Sequence, residues 1–437
     1  MKRPLIAICL GIFFCPAVRS QALSSDVLLL SRVRRHVTEE LQRLPNISCL
    51  ETVFREIQTK NSRMRPLDTV RLEVRTNGTT ELYASPGDRR FVQAPPISWA
   101  GSGALGDGFF GLYLRTVFLN NNASFIWKGD EEIAGRRLAR WDYRIPLISS
   151  GQTFQLQDGQ GRVSLHGSFW ADSVNNDVVR LAVVAGDIPP SLPLSNAEWD
   201  IDYAPVVVGS ETAVLLPMSA DFRMTKLSGE VSRDRFAFTQ CHSFAAESSI
   251  RFDAQDAPEG VAQFSAAAVE DDVRPLPAGL EIPVKLKNRI SDEMAVGGLI
   301  EGVVSANVML KGVALIAAGS PVKGRLRHLE RSNEPVPFFV VGIEYTELTS
   351  GGIRYRFDAD LATMDPFIGV ERTLTVARSA AEVLSAGRDT VYRETISFSE
   401  LPGVATFFVR GTRLSLTGEF RTVWKSRGEL KGRNQSR

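Results

Sequence analysis

The stretch LQRLPNISCLETVFREI, Leu41 to Ile57, contains a change of period that decides the fold. Up to Pro45 the apolar residues Leu30, Val33, Val37, Leu41 and Leu44 recur at intervals of three and four, one stripe along a helix. Ser24, Ser25 and Asp26 offer N-cap oxygens ahead of it, and Arg32, Arg34, Arg35, Glu39, Glu40 and Arg43 fall mostly on the other face. His36 belongs to this helix as a surface or boundary residue, and Pro45 ends it. Beyond Pro45 the interval becomes two: Ile47, Cys49, Glu51, Val53, Arg55 and Ile57 share one parity of a β-prone run.

Further along, Val70, Leu72 and Val74 and then Glu81, Leu82 and Tyr83 continue the strands, with Asn77-Gly78 as a hairpin turn. Gly101 to Gly111 is glycine-rich and leads into a second helix in which Phe110, Leu114, Val117 and Phe118 share a face, stopped by Asn120-Asn121-Asn122. No strand–GxxxxGK[ST]–helix unit is present, so these glycines are read as letting the helix lie close against a sheet. Strands resume at Phe125-Ile126-Trp127. Trp141 to Ile145, Val178 to Leu181 and the set Trp199, Ile201 and Tyr203 alternate, and Phe236, Phe238 and Phe244 close the series before Asp253. Asp158-Gly159 and Asn175-Asn176-Asp177 carry turn chemistry. Many short strands and two helices predict a mainly β (α+β) fold: a curled antiparallel half-barrel sheet with two helices over residues 23–253, followed by a smaller all-β barrel-like domain.

A chain of 437 residues exceeds one ordinary core. Lys+Arg of 51 against Asp+Glu of 50 gives a net charge of +1, with no electrostatic footprint for nucleic acid. Lys2 and Arg3, the apolar run Leu5 to Val18 broken by Gly11 and Pro16, and the small residues at Val18-Arg19-Ser20 or Ser20-Gln21-Ala22 read as a cleaved export signal over 1–22. The run is short for about 30 Å of hydrocarbon, and no later stretch reads as a span once the signal is removed. Phe13-Phe14 before Cys15 argue against lipid attachment. The expected location is periplasmic or secreted, soluble or peripheral to the envelope. Cys9 and Cys15 leave with the signal, and export favours a Cys49–Cys241 bridge over two free thiols. Such a bridge is worth roughly 4–5 kcal/mol in the chain-entropy picture.

Several local motifs look familiar. Leu44-Pro45-Asn46-Ile47-Ser48-Cys49 with Glu51-Thr52, Gly108-Phe109-Phe110-Gly111, Gly135-Arg136-Arg137, Gly167 to Asp172, Val179-Arg180-Leu181, Leu215-Leu216-Pro217 and Cys241 to Ser248 resemble a group of exported bacterial proteins similar to the lipoprotein carriers LolA and LolB. The resemblance covers roughly Ser24 to Asp253 and implies a half-open antiparallel barrel whose helices plug an apolar concave face, the face that holds acyl chains in the carriers. None of the carriers' acyl-binding residues transfers to this sequence one by one. The aromatic residues expected to line such a cavity are Phe54, Tyr83, Phe91, Trp99, Trp127, Trp141, Phe154 and Trp170; the competing reading makes them core.

Residues 254–276 are small, acidic and proline-bearing and read as a linker. From Pro277 to Leu361, strand-like pieces and Gly319-Ser320-Pro321-Val322-Lys323-Gly324-Arg325 resemble the β-barrel domain of TrbI-type conjugation proteins, without that family's membrane helix or long arm. The expected barrel-like domain runs over 277–424. It includes a helix or turn near Ser379–Ala386 and strands at Ile396–Phe398, Thr406–Arg410 and Leu414–Trp424, and a basic tail occupies 425–437. His328 stands alone.

No HExxH, GxSxG, CxxC, strand-linked GxGxxG or Walker A motif occurs, and His36, His166, His242 and His328 are not spaced as metal ligands. Carboxylate pairs (Asp130-Glu131-Glu132, Asp200/Asp202, Asp271-Asp272, Asp358/Asp360) read as solvated loops rather than acid–base dyads. The sequence therefore predicts a non-enzymatic envelope protein without metal or cofactor. Its partners would be a lipid or lipoprotein held in the half-barrel or, alternatively, envelope proteins for which it serves as an interaction scaffold.

Overall fold

The computed structural model describes residues 24–60, 62–76, 79–100, 104–156, 159–209, 213–244, 273–332, 337–364, 370–371, 403–418 and 420–427. The expected export signal, the Asn77-Gly78 turn, most of the expected linker, the Ser379–Ala386 helix or turn, the Ile396–Phe398 strand and the tail after Arg427 lie outside the described residues.

The helix α1 (Ser25–Arg43) buries Val33, Val37 and Leu41, the stripe its periodicity marks. The first sheet is built from β1 (Ile47–Gln58), β2 (Arg65–Thr76), β3 (Glu81–Ala84), β4 (Ser124–Ile133) and β5 (Arg136–Ile145). A separate hairpin follows, β6 (Thr153–Leu156) with β7 (Gly159–Arg162). The sheet then continues with β8 (Ser164–Ala171), β9 (Val178–Gly186), β10 (Leu194–Val207), β11 (Ala213–Lys226) and β12 (Val231–Ser243). Its order is β3-β2-β1-β12-β11-β10-β9-β8-β5-β4, antiparallel throughout, so the sheet curls into a half-barrel with β3 and β4 as unjoined edges. α2 (Leu112–Phe118) packs Tyr113, Leu114, Val117 and Phe118 into the concave side, and α3 (Leu147–Ser150) is a single turn at the rim.

β1 and β12, neighbours in the sheet though far apart in sequence, are fastened at one end. Ser48 pairs with His242 and Leu50 with Thr239, so Cys49 faces a bulge formed by Gln240 and Cys241. Gln240 takes φ 53°, and the Cys49 and Cys241 sulfurs stand at bonding distance, 2.07 Å.

The second sheet uses β13 (Val273–Pro275), β14 (Glu281–Leu286), β16 (Leu299–Val304), β19 (Pro321–Ser332), β20 (Phe338–Ser350), β21 (Ile353–Arg356), β22 (Ala359–Met364) and β26 (Arg421–Ser426), in the order β13-β21-β20-β19-β16-β14-β26-β22. Off this path, β24 (Ala405–Arg410) pairs with β20 and β23 (Val370–Glu371) with β24. Two small two-stranded sheets complete the unit: β15 (Ile290–Ser291) with β25 (Ser415–Leu416), remote in sequence, and the hairpin β17 (Val308–Leu310) with β18 (Val313–Ile316). Tyr345, Phe357 and Trp424 meet edge-on, with ring centres 5.2–5.8 Å apart, at the centre of its core. Two expected segments end up inside this sheet. Val273–Pro275, the end of the expected linker, pairs in parallel with β21. Lys425 and Ser426, the start of the expected tail, finish β26, and Arg427 pairs with Asp358 at 3.0 Å.

The two sheets are joined by backbone. β3 covers only Glu73–Thr76 of β2, which leaves the rest of that strand edge open. Val296 occupies it: the Arg71 N–H donates to Val296 O (2.8 Å), and the Val296 N–H donates to Thr69 O (2.7 Å). Gly297 has φ +91°, and a Cβ there would stand 2.3 Å from Arg71 O, so this junction requires glycine. Arg325 reinforces it, donating to Gly297 O and pairing with Asp88 at 2.7 Å.

Candidate functional site

The concave face of the half-barrel is filled by the protein's own rings. Phe109, on the loop before α2, lies 4.6 Å from Phe236 and 5.6 Å from Phe238, centre to centre. Tyr113 meets Trp199 at 5.5 Å, Phe118 meets Phe169 at 4.8 Å, and Trp141 stacks on Phe169 at 5.1 Å. Of the aromatic residues expected to line a cavity, Tyr83, Trp99, Trp141 and Phe154 are in this buried cluster, with Trp127 packed edge-on against Trp141. The other three lie elsewhere. Phe54 has the opposite parity to Val53 and Arg55 on β1 and is 48% exposed. Phe91 lies 3.8 Å from the Arg75 guanidinium. Trp170 donates to Glu131 and sits under Arg140, on the face opposite Phe169.

Open space remains at both ends of α2. At its start is a cleft of about 500 Å³, lined by Thr76, Thr79, Thr80, Glu81, Gln93 and Asp107 among others. Glu81 fixes the loop that forms one wall: Tyr83 OH donates to its Oε2 (2.6 Å), as does the Gly108 N–H (2.8 Å), and the Phe110 N–H donates to Oε1 (3.1 Å). Glu51, on the inward parity of β1, is buried beside them, and its Oε1 has no hydrogen-bond partner. Burial first, then the charges of Glu81 and Asp107, raise the Glu51 carboxyl well above the ordinary range. Burial also raises Glu81, against the lowering effect of its three donors. Asp107 presents an exposed flank, yet burial of its carboxyl and the neighbouring Glu81 push it up to about 6. Among the described residues no basic side chain bears on any of the three.

The far end of β1 is arranged differently. Arg55 stands between its register partners Asp68 on β2 and Asp234 on β12, all three buried, with Arg55 Nε 3.0 Å from Asp68 Oδ1. His328 and Glu330 of β19 act on Asp68 from the second sheet. Burial raises Asp68 against the pull of Arg55 and His328, and pushes Asp234 up to about 8 despite Arg55.

At the end of α2 is a second cleft, of about 460 Å³, lined by Val27, Leu30, Ser31, Arg34, Arg35, Thr38, Phe118, Leu119 and Asn121. Here the run Val27-Leu28-Leu29-Leu30 exceeds what one helix face can bury, so Val27 and Leu28 stay 44% and 45% exposed. Leu119 and Ile148 are exposed as well. His36, farther along α1, pairs with Asp177 at 2.7 Å, in keeping with a boundary position.

No family model matches the chain, and no curated protein does. Solved structures are similar to parts of it. A LolA-superfamily protein from Nitrosomonas europaea aligns over 49% of this chain and 94% of its own, at 9% identity and a TM-score of 0.27. A DUF1329 family protein from Desulfovibrio piger aligns over 50% and 95%, at 8% identity and 0.26. ComB10 of the Com type IV secretion system of Helicobacter pylori aligns over 35% and 88%, at 14% identity and 0.20.

The sequence does not single out the carboxyls buried beside the first cleft, although one sign is present: Glu51 stands between the inward apolar residues Cys49 and Val53. Glu81 and Asp107 carry no comparable sign, because a loop contact brings them together. Among the described residues no group of three or more potential ligands is placed to hold a metal ion, and no helix is long and apolar enough to cross a membrane.

Proposed function

We propose that this chain is an exported, non-enzymatic protein of the bacterial envelope that takes the apolar part of a lipid or acylated partner at the rim between α1 and α2. The supporting observation is the uncovered aliphatic surface of Val27, Leu28 and Leu119 beside a cleft bordered by Arg34 and Arg35. Aliphatic side chains next to guanidiniums suit an acyl chain below an anionic headgroup. The concave face itself offers little room, since α2 and its preceding loop occupy it with rings.

Flotation with phosphatidylglycerol vesicles tests the reading. The purified protein is expected to float with them, and Leu28→Glu/Leu119→Glu to remain at the bottom with an unchanged far-UV spectrum. No flotation, together with no lipid copurifying in native mass spectrometry, overturns it. An interaction module is the second reading, favoured by the β17–β18 hairpin, which exposes Met309 and Val313. A photo-crosslinker at Val313 that captures one protein in cells, without lipid binding, would favour that module.

A further inference from the structure

Phe109 and Phe110 reach the concave face from the loop of residues 104–111, which belongs to neither sheet. Side chains fasten this loop in place of a strand ladder. Glu81 of β3 accepts from the Gly108 and Phe110 N–H groups, and the Tyr203 hydroxyl of β10 donates to Phe109 O at 3.1 Å. Gly108 has φ +83°, and a Cβ there would stand 2.8 Å from the Leu112 side chain, so the turn that delivers the two rings requires glycine. Beside the fastening stand the buried carboxyl of Glu51 and, on the loop itself, Asp107. We propose that this loop is an acid-closed strap: it lies over the half-barrel while the carboxyls beside it hold protons, and it loosens as they ionise, drawing Phe109 and Phe110 off the concave face.

The placement of the three acids supplies the force. Glu51 and Glu81 are fixed on β1 and β3, whereas Asp107 travels with the loop. The titratable groups facing them, besides one another, are Tyr83 of β3, Tyr113 of α2 and Tyr203 of β10. Burial pushes all three phenols up, so they stay neutral, and among the described residues no basic side chain bears on the acids. A negative charge arriving on Asp107 therefore meets Glu81 and no cation, and moving the loop into water relieves it. The direction follows from linkage. In the closed loop the Asp107 carboxyl is raised to about 6, and in a loosened, solvated loop it returns to an ordinary 3.8. Closure thus retains a proton that opening releases; it is strongest below about pH 4 and weakens as pH rises through 6. A loop that swings out takes its rings with it, since Phe109 and Phe110 lie 4.6–5.6 Å from Phe236 and Phe238, centre to centre.

The strap stands independently of the lipid reading, which concerns the other end of α2. Amide hydrogen exchange of the full chain, each rate divided by the intrinsic rate at that pH, tests it. Protection of the Gly108 and Phe110 amides is expected to fall roughly tenfold between pH 5 and pH 7.5, while the amides of β10 and β11 keep theirs. Asp107→Asn, at a position with an exposed flank, is expected to remove this pH dependence and to hold the loop at its pH 5 protection. Glu81→Gln, which offers one acceptor oxygen in place of two, is expected to lower loop protection roughly tenfold at pH 5. Nile red, an uncharged probe of apolar surface, is expected to brighten with the parent chain from pH 5 to pH 7.5 and to stay constant with Asp107→Asn. Loop protection that is unchanged or rises toward pH 7.5, or a pH dependence that survives in Asp107→Asn, overturns the proposal. Unchanged protection in Glu81→Gln removes the fastening, and constant dye fluorescence in the parent chain removes the uncovering of the concave face.

Discussion

β1 buries acid at both of its ends, and the two ends are balanced in opposite ways. Near Glu51 the strand is held to β12 through the Cys49–Cys241 sulfurs, while the carboxyls of Glu51, Glu81 and Asp107 act on one another with no basic side chain beside them among the described residues. Near Arg55 no sulfur link exists; a guanidinium lies between two aspartates, and the second sheet closes over them with His328 and Glu330. The difference separates ion pairing from protonation. The Arg55 end is internally paired and sealed, so its charges hold the joint. At the Glu51 end no cation matches the acids among the described residues, and burial raises all three carboxyls instead, so protons rather than ion pairs relieve their charge.

The largest effects are expected at the paired end. Arg55→Leu leaves Asp68 and Asp234 buried without their shared cation and is expected to cost about 3–5 kcal/mol in urea denaturation. The triple replacement Arg55→Leu, Asp68→Leu, Asp234→Leu removes all three charges and is expected to regain most of that loss, because a buried ion group is often no more stabilising than apolar residues of similar size. If the triple variant is weaker than Arg55→Leu alone, the ion group contributes more than mutual neutralisation. Close behind comes Cys49→Ala/Cys241→Ala, expected to lose roughly 2–5 kcal/mol, read by the same denaturation under non-reducing conditions.

Half of this contrast was legible in the residues. Pro45 and the switch to a period of two located the helix-to-strand boundary, and the stripe Val33, Val37 and Leu41 is the buried one. The parity of β1 also separated Phe54 from its inward neighbours, which makes that residue a misplaced lining candidate. Arg55 and Glu51 share the inward parity, but their different environments depend on what other strands carry in register: Asp68 and Asp234 opposite one, Leu72 and Phe238 opposite the other. Those partners are remote in sequence. The Val296 junction was illegible for the same reason, since an edge left bare by a short β3 carries no local pattern.

A smaller effect distinguishes the two ends by pH. Asp234 is raised from an ordinary 3.8 to about 8, so the folded chain holds a proton that the unfolded chain releases. The stability this confers is complete below about pH 4 and is lost as pH rises toward 8. One such group contributes a slope of at most about 1.4 kcal/mol per pH unit. Asp234→Asn is expected to flatten the fall of stability over that window. Asp107 acts in the same direction over a narrower range, up to about 6, so Asp107→Asn is expected to change only the acid side of the profile. A profile as steep in Asp234→Asn as in the parent chain would place the titration elsewhere.

The smallest effect is expected from Glu51→Gln, and it sharpens the contrast most. Burial and two neighbouring carboxyls raise the Glu51 carboxyl well above its ordinary range and so favour the neutral acid, which an amide of the same shape resembles. The expected stability change at pH 7 is below about 1 kcal/mol, far less than at Arg55. A loss as large as that of Arg55→Leu would mean that Glu51 is ionised and that a positive partner already stands beside it. The two ends of β1 would then be alike. A near-zero cost would mean that Glu51 carries its proton in the fold, because a neutral buried carboxyl needs no cation to match it, whereas the ionised aspartates beside Arg55 do.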